Sequence, residues 1–194
     1  MAVNSSWIID PGHSEVQFKI RHLAVSNVTG RFRTFEGEVS SGTGDLNGAE
    51  IHGDDDFNGA GIHVVLDAGS LDTNNPQRDG HLKSPDFINV EKYPSIRFDG
   101  SLQKKEGDDY VIKGELTIRE ETRSVKLDAT LTGTGVGRFG DKRAGFEVKG
   151  KIRRSDFGLT WNILAEGGGL VVGEEITLFF DIQLMKKALE NTGG

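Results

Sequence analysis

Apolar and polar residues alternate along most of this chain. Between Ser14 and His22, Val16, Phe18 and Ile20 share one face, and Glu15, Gln17, Lys19 and Arg21 share the other. A period of two predicts a half-buried antiparallel strand. Asn27 to Gly30 reads as a turn. A second strand covers Arg31 to Ser40, where parity breaks: Phe32 is even, while Phe35, Gly37 and Val39 are odd. One extra residue near Thr34 would mark a bulge that bends the strand. Ile62, Val64 and Leu66 give strand three, and Ile96, Phe98 and Leu102 strand four. Tyr110, Ile112, Leu116 and Ile118 give strand five. Val125, Leu127, Ala129 and Leu131 give strand six. Ala144, Phe146, Val148 and Ile152 give strand seven, and Ile176 to Leu184 strand eight.

The connections punctuate this pattern. Residues 41–61, rich in Gly, Ser, Asn and Asp, read as a surface connection. Lys104 to Asp109 reads as a hairpin turn, Glu120 to Thr122 as another, and Gly133 to Lys142 as a Gly-rich loop. The tail from Lys186 to Gly194 reads as frayed. Nothing divides the chain, so residues 1–194 are read as one domain. Eight long strands with one apolar face each must hide that face together, and closure into a barrel also removes exposed edges. Such a barrel is filled by side chains or holds one elongated ligand. Gly37, Gly100, Gly114 and Gly150 at or near inward positions, with 11 Phe against 2 Tyr and 2 Trp, lean toward a cavity lined by hydrocarbon. A solid core has nearly the same pattern.

One stretch departs from alternation. Asp72 to Pro94 reads DTNNPQRDGHLKSPDFINVEKYP. Pro76 suits the first turn of a helix, and Asn74 or Asn75 can cap it. Arg78, Asp79, His81 and Lys83 then fall within two turns. Arg78 and His81 share a face, and Asp79 points elsewhere. Two readings stay open. Asp79 caps or pairs locally while Arg78 braces the helix on the barrel, or Arg78 and His81 present donors at the barrel mouth.

Composition narrows the chemistry. A net charge of −7 argues against a nucleic-acid partner. The chain has no cysteine, which excludes disulfides, thiolate nucleophiles and Cys-ligated zinc. No apolar run approaches the ~20 residues of a transmembrane helix. The start, MAVNSSWIIDPGHS, has no basic or apolar leader region, which leads us to expect a cytoplasmic protein. The five histidines show no metal-ligand spacing, and Asp54-Asp55-Asp56 lacks the spaced ligands of a calcium loop, so neither metal nor cofactor is expected. No GxSxG elbow occurs, and no catalytic residue is assigned.

The order of motifs resembles the YceI-like family of polyisoprenoid-binding, lipocalin-like proteins. The resemblance rests on Trp7-x-Ile9-Asp10-x-x-His13-Ser14-x-Val16-x-Phe18-x-Ile20-x-His22-Leu23 and on Ser70-Leu71-Asp72-Thr73 followed by Arg78-Asp79-x-His81-Leu82-Lys83-Ser84-x-Asp86-Phe87. Tyr93-Pro94-x-Ile96-x-Phe98, Gly114-x-Leu116-Thr117-Ile118-Arg119 and Ile152-x-Arg154-Ser155-Asp156-Phe157-Gly158-Leu159 continue it. Thr122 to Val125, TRSV, is shorter than the family's usual segment there, and the 41–61 connection is longer. The resemblance implies an eight-stranded antiparallel lipocalin-like barrel with a short helical insertion near residues 75–92. It also implies an apolar channel, an isoprenoid or other amphiphilic lipid as ligand, and often a homodimer. In that reading Phe18, Ile20, Phe98, Leu116, Ile118, Phe146, Val148 and Phe180 line the channel. Arg78, His81 and Arg154 are the polar contacts at its rim. The alternatives are an enzyme acting on a lipid- or quinone-like substrate through His13 or His81, and a solid barrel serving protein interaction or stress protection.

Overall fold

In a computed structural model, residues 6–40, 57–164 and 171–187 are described. The Asp triplet, the Gly-rich 167–169 segment and most of the C-terminal tail lie outside them. The strands are β1 (Ser6–Ile9), β2 (Glu15–His22), β3 (Ser26–Phe32), β4 (Phe35–Ser40), β5 (Gly61–Asp67) and β6 (Leu71–Asp72). After helix α1 (Pro76–Lys83) come β7 (Ser95–Lys104), β8 (Asp109–Ile118), β9 (Glu121–Val136), β10 (Lys142–Arg153) and β11 (Val172–Lys186).

These eleven strands make eight courses of one closed antiparallel barrel. β1 and β2 form a single course, interrupted by a 3-10 turn at Pro11–His13 where Asp10 caps the Gly12 N–H at 3.0 Å. β11 follows that course along its length, pairing with β2 through Asp181↔Glu15 and with β1 through Leu184↔Ile9. β1 also pairs with β4, which closes the ring. β3 and β4 form the second course, broken at Arg33–Thr34 where the parity change falls. The break is a two-residue interruption rather than a paired bulge. Register shifts lie instead where Gly145 faces Gly133 and Phe146 faces Leu131, leaving Thr132 as the extra residue, and in β11 between Val172 and Ile176, opposite His22 and Ile20.

Two turn expectations shift. Asn27 to Gly30 lies inside β3, and the turn falls at Leu23–Val25, with Leu23 at φ 52° and Ala24 at φ 54°. Gly30 is needed for close approach: a Cβ there would stand 2.3 Å from the Phe18 ring. Strand β9 runs on through Gly133 to Val136, because its pairing with β10 outweighs the turn preference of its glycines.

The barrel has two unlike halves. The lower end carries the β7–β8 and β9–β10 hairpins, and here Trp7, Phe57, Phe146 and Tyr110 fill the interior. Trp7 and Phe57 rings lie 5.2 Å apart, Phe57 and Phe146 5.0 Å, and Tyr110 and Phe146 5.8 Å. Each such buried ring contributes about 1.5–3 kcal/mol of transfer free energy. The upper end carries α1, the β2–β3 and β8–β9 turns, and a smaller apolar cluster around Leu71, Ile88, Ile118, Phe157 and Leu159. The inward glycines leave no open space. A Cβ on Gly100 or Gly114 would stand 2.6 Å from the Phe98 ring, one on Gly150 2.2 Å from Leu127, and one on Gly37 2.6 Å from Ile9.

Candidate functional site

The upper half encloses an apolar cavity of about 580 Å³. Its walls are the inward residues of β2, β3, β8 and β11, with α1, the turns after it and Trp161 around the opening. A smaller cavity of about 140 Å³ lies below it. Val16, Leu66, Ile96, Leu116, Leu178 and Phe180 line both and form a neck between them.

Helix α1 arises where sequence chemistry requires it. Asn75 is the cap and accepts from the Arg78 N–H at 3.0 Å, and Pro76 opens the first turn. No residue of α1 is buried, so apolar packing alone does not hold it. Thr73 does. Its backbone N–H donates to Asp79 Oδ1 at 2.9 Å, and its hydroxyl donates to the same oxygen. Arg78 Nε donates to Thr73 Oγ1 at 2.8 Å, and Arg78 Nη2 donates to the Thr73 carbonyl at 2.8 Å. Thr73 is buried, so these bonds satisfy groups that water does not reach. Arg78 lines the cavity, yet its fork also grips the backbone just before the helix. The bracing and the mouth placement therefore coexist in one side chain.

His81 sits in an aromatic corner. Its ring meets Trp161 edge-on at 4.5 Å and Phe87 at 5.1 Å, and its Nε2 lies 3.0 Å from Asp86 Oδ2. It lines the cavity, whereas Asp86 does not. His13 lines neither cavity and is paired to Asp10 at 2.8 Å.

Arg154 is 3% exposed. Its Nε donates to the Gly173 carbonyl at 2.8 Å, and its Nη1 donates to the carbonyls of Leu159 and Trp161. It thereby ties the β10–β11 connection to the wall and positions Trp161. Nearby Glu174 is pushed up by burial, but hydrogen bonds from Ser155 and the charge of Arg154 outweigh this and hold it below its ordinary value. Asn162 completes the connection: its Nδ2 donates to the Val172 carbonyl at 2.8 Å, and its Oδ1 accepts from the Val172 N–H at 3.1 Å.

The apolar residues proposed from sequence divide between the two spaces. Phe18, Ile20 and Ile118 line the upper cavity, Leu116 and Phe180 line both, and Phe98, Phe146 and Val148 line the lower one. Sequence reasoning missed Thr73 and Trp161. Trp161 had a signal, as one of only two tryptophans in the chain. Thr73 had none beyond preceding the cap. Among the described residues, no three His, Asp or Glu side chains stand together to hold a metal ion. No helix among them is long and apolar enough to cross a membrane.

Comparison with known proteins places this geometry. A family model described as the YceI-like domain matches residues 7–184. Protein YceI of Salmonella newport is 38% identical over 151 residues, covering 78% of this chain and 73% of that one. BcnA of Burkholderia cenocepacia superposes with a TM-score of 0.72 at 18% identity, over 90% of this chain and 98% of its own. A domain from Saccharophagus degradans, described as polyisoprenoid-binding and implicated in plant cell wall breakdown, superposes with a TM-score of 0.63 at 15% identity. That match covers 93% of this chain and 98% of that domain.

Proposed function

The chain belongs to the YceI-like family, and from that premise we propose that it binds the hydrocarbon chain of an amphiphilic lipid, an isoprenoid by class, in the upper cavity. The observation that carries this reading is the cavity itself: about 580 Å³ of space walled by apolar side chains and open beside α1. Each buried CH₂ contributes roughly 0.8 kcal/mol, so a branched hydrocarbon binds there with few polar contacts. The polyisoprenoid-binding description of the Saccharophagus domain, whose fold this chain shares, supports the same ligand class.

In this reading Phe18, Ile20, Ile118, Leu116 and Phe180 contact the chain of the ligand. Phe98, Phe146 and Val148 form the floor below the neck. Arg78 and His81 stand at the mouth and face the polar end, and Arg154 acts by holding Trp161 in place. The protein serves to hold or carry the lipid.

The test is native mass spectrometry of the purified protein, followed by solvent extraction and by loading with a polyprenyl alcohol presented in detergent micelles. A bound mass released as lipid, or stoichiometric uptake of the alcohol, is expected. Leu116→Trp, which fills the neck and upper cavity, lowers uptake by about tenfold or more while the barrel stays folded. Absence of any lipid together with no uptake by the wild type sinks the reading.

A further inference from the structure

Six large apolar side chains are exposed among the described residues, and four of them lie at the upper end, on the β2–β3 turn and on the segment after Trp161 that Val171 joins to it. Val25 is 82% exposed, Leu164 73%, Ile163 52% and Leu23 43%. The other two, Val136 and Phe139, sit at the opposite end on the β9–β10 hairpin. The four are neighbours in space. The Leu23 N–H donates to the Val171 carbonyl at 2.9 Å, and the Val171 N–H donates to the Ile163 carbonyl at 3.2 Å. Val171, Val172 and Trp161, in the same segments, line the cavity. The exposed apolar side chains of the rim thus sit beside segments that line the cavity.

Charge sets the same region apart. This is an acidic chain, of net charge −7, yet residues 16–35 contain Lys19, Arg21, Arg31 and Arg33 and no Asp or Glu. In the β2–β3 ladder Phe18 faces Gly30 and Ile20 faces Val28 on the inner side. Lys19, Arg21 and Arg31 alternate with these on the outer side, where Glu15 at the far end of β2 is the one carboxylate of the hairpin, and Arg21 also borders the cavity near the tip. Arg31 and Arg33 share Asp72 of the neighbouring course, while Arg21, nearest the tip, has no ion-pair partner among the described residues. Lys19 lies about 7 Å further from the tip than Arg21, at ~3.3 Å per residue.

We propose that this rim docks on the surface of an anionic lipid bilayer. Val25, Leu23, Ile163 and Leu164 enter the boundary between headgroups and acyl chains, about 5–10 Å deep. At that depth Arg21 and Lys19 lie among the headgroup phosphates, where each cation favours binding to an anionic leaflet. Trp161, an amphipathic ring at the mouth, then stands at the level such rings prefer. The cavity opens directly into the acyl region, so a lipid passes between bilayer and barrel without crossing water. The inference rests on the lipid-binding reading for its purpose, not for its surface chemistry, and the two fail separately.

The experiment is flotation of the full chain with vesicles of phosphatidylcholine and phosphatidylglycerol, compared with phosphatidylcholine alone. The wild type is expected to float with the anionic vesicles, and less so at high salt. Val25→Asp combined with Leu164→Asp changes only exposed positions and is expected to lower vesicle affinity by about tenfold or more. The same variant takes up polyprenyl alcohol from micelles as the wild type does. No flotation of the wild type, or equal flotation of the variant, overturns the proposal. Flotation absent, with concentration-dependent self-association that the variant abolishes, also overturns it and assigns the face to a second copy. Flotation without any loading from micelles leaves the docking surface standing and removes the lipid-binding reading instead.

Discussion

The lower and upper halves of this barrel are built from the same strands with the same alternation, and they differ in what the inward positions carry. β2, β10 and β11 each contribute to both halves. Below the neck, four rings converge on one another and the space left is about 140 Å³. Above it, the tip of the Phe18 ring packs over Gly30, its ring lies 5.9 Å from that of Phe32 at a tilt of 44°, both rings form part of the cavity wall, and about 580 Å³ stays open. A barrel becomes a container when its large side chains lie along the wall. It becomes a plug when they cross the axis. The lower half supplies stability, and the upper half can be hollow because the lower half is full.

The largest effect that could break this division is on stability. Trp7→Ala, in the packed half, is expected to cost about 3–5 kcal/mol in chemical denaturation. Ile20→Ala, on the cavity wall, is expected to cost only about 1 kcal/mol, because that side chain already lacks contacts on its inner side. Equal costs would show that the halves share the load. The next effect lies in α1. Asp79→Ala leaves the buried Thr73 N–H without its acceptor and is expected to cost about 1–3 kcal/mol. It is expected to speed amide exchange in α1 while leaving β7–β10 protected. Uniform acceleration would show that the helix is not a separately held element.

The smallest effect is on pH dependence, and it bears on both halves. Asp10, below, is pushed up by burial, but bonds from His13, Gly12 and Gln183 outweigh this and hold it below 3.8. Glu174, above, is held below 4.5 in the same manner. A depressed carboxylate stabilises the fold fully above its ordinary value and loses that contribution as pH falls through the lower folded value. Glu174→Gln is therefore expected to be less stable than the wild type at neutral pH, by no more than about 1 kcal/mol. The two should converge in acid denaturation below pH 4.5. A gap that widens toward acid contradicts the assignment.

Much of this architecture was legible in the chain. Alternation located all eight courses, and Asn75 with Pro76 located the helix, because caps and period-two faces are local properties. The turn at Asn27 to Gly30 was misread because a glycine has two uses. Gly30 serves the Phe18 ring across the ladder, and the actual turn uses Leu23 and Ala24, residues with no turn preference. The division into plug and container was not legible. Alternation says that Phe146 and Phe18 both point inward, but not that one crosses the axis and the other hugs the wall. The grip of Arg78 and Asp79 on Thr73 could be posed only as a local brace. Trp161, held by a buried arginine across the β10–β11 connection, depends on contacts no spacing announces.

The neck formed by Val16, Leu66, Ile96, Leu116, Leu178 and Phe180 gives the barrel a property of measurement. For any hydrocarbon entering at the mouth, each added carbon gains burial until the tip reaches that constriction. Beyond it, carbons must displace Phe180 and its neighbours or stay outside. Affinity plotted against chain length should rise and then level, and the length at the break is a ruler set by six side chains.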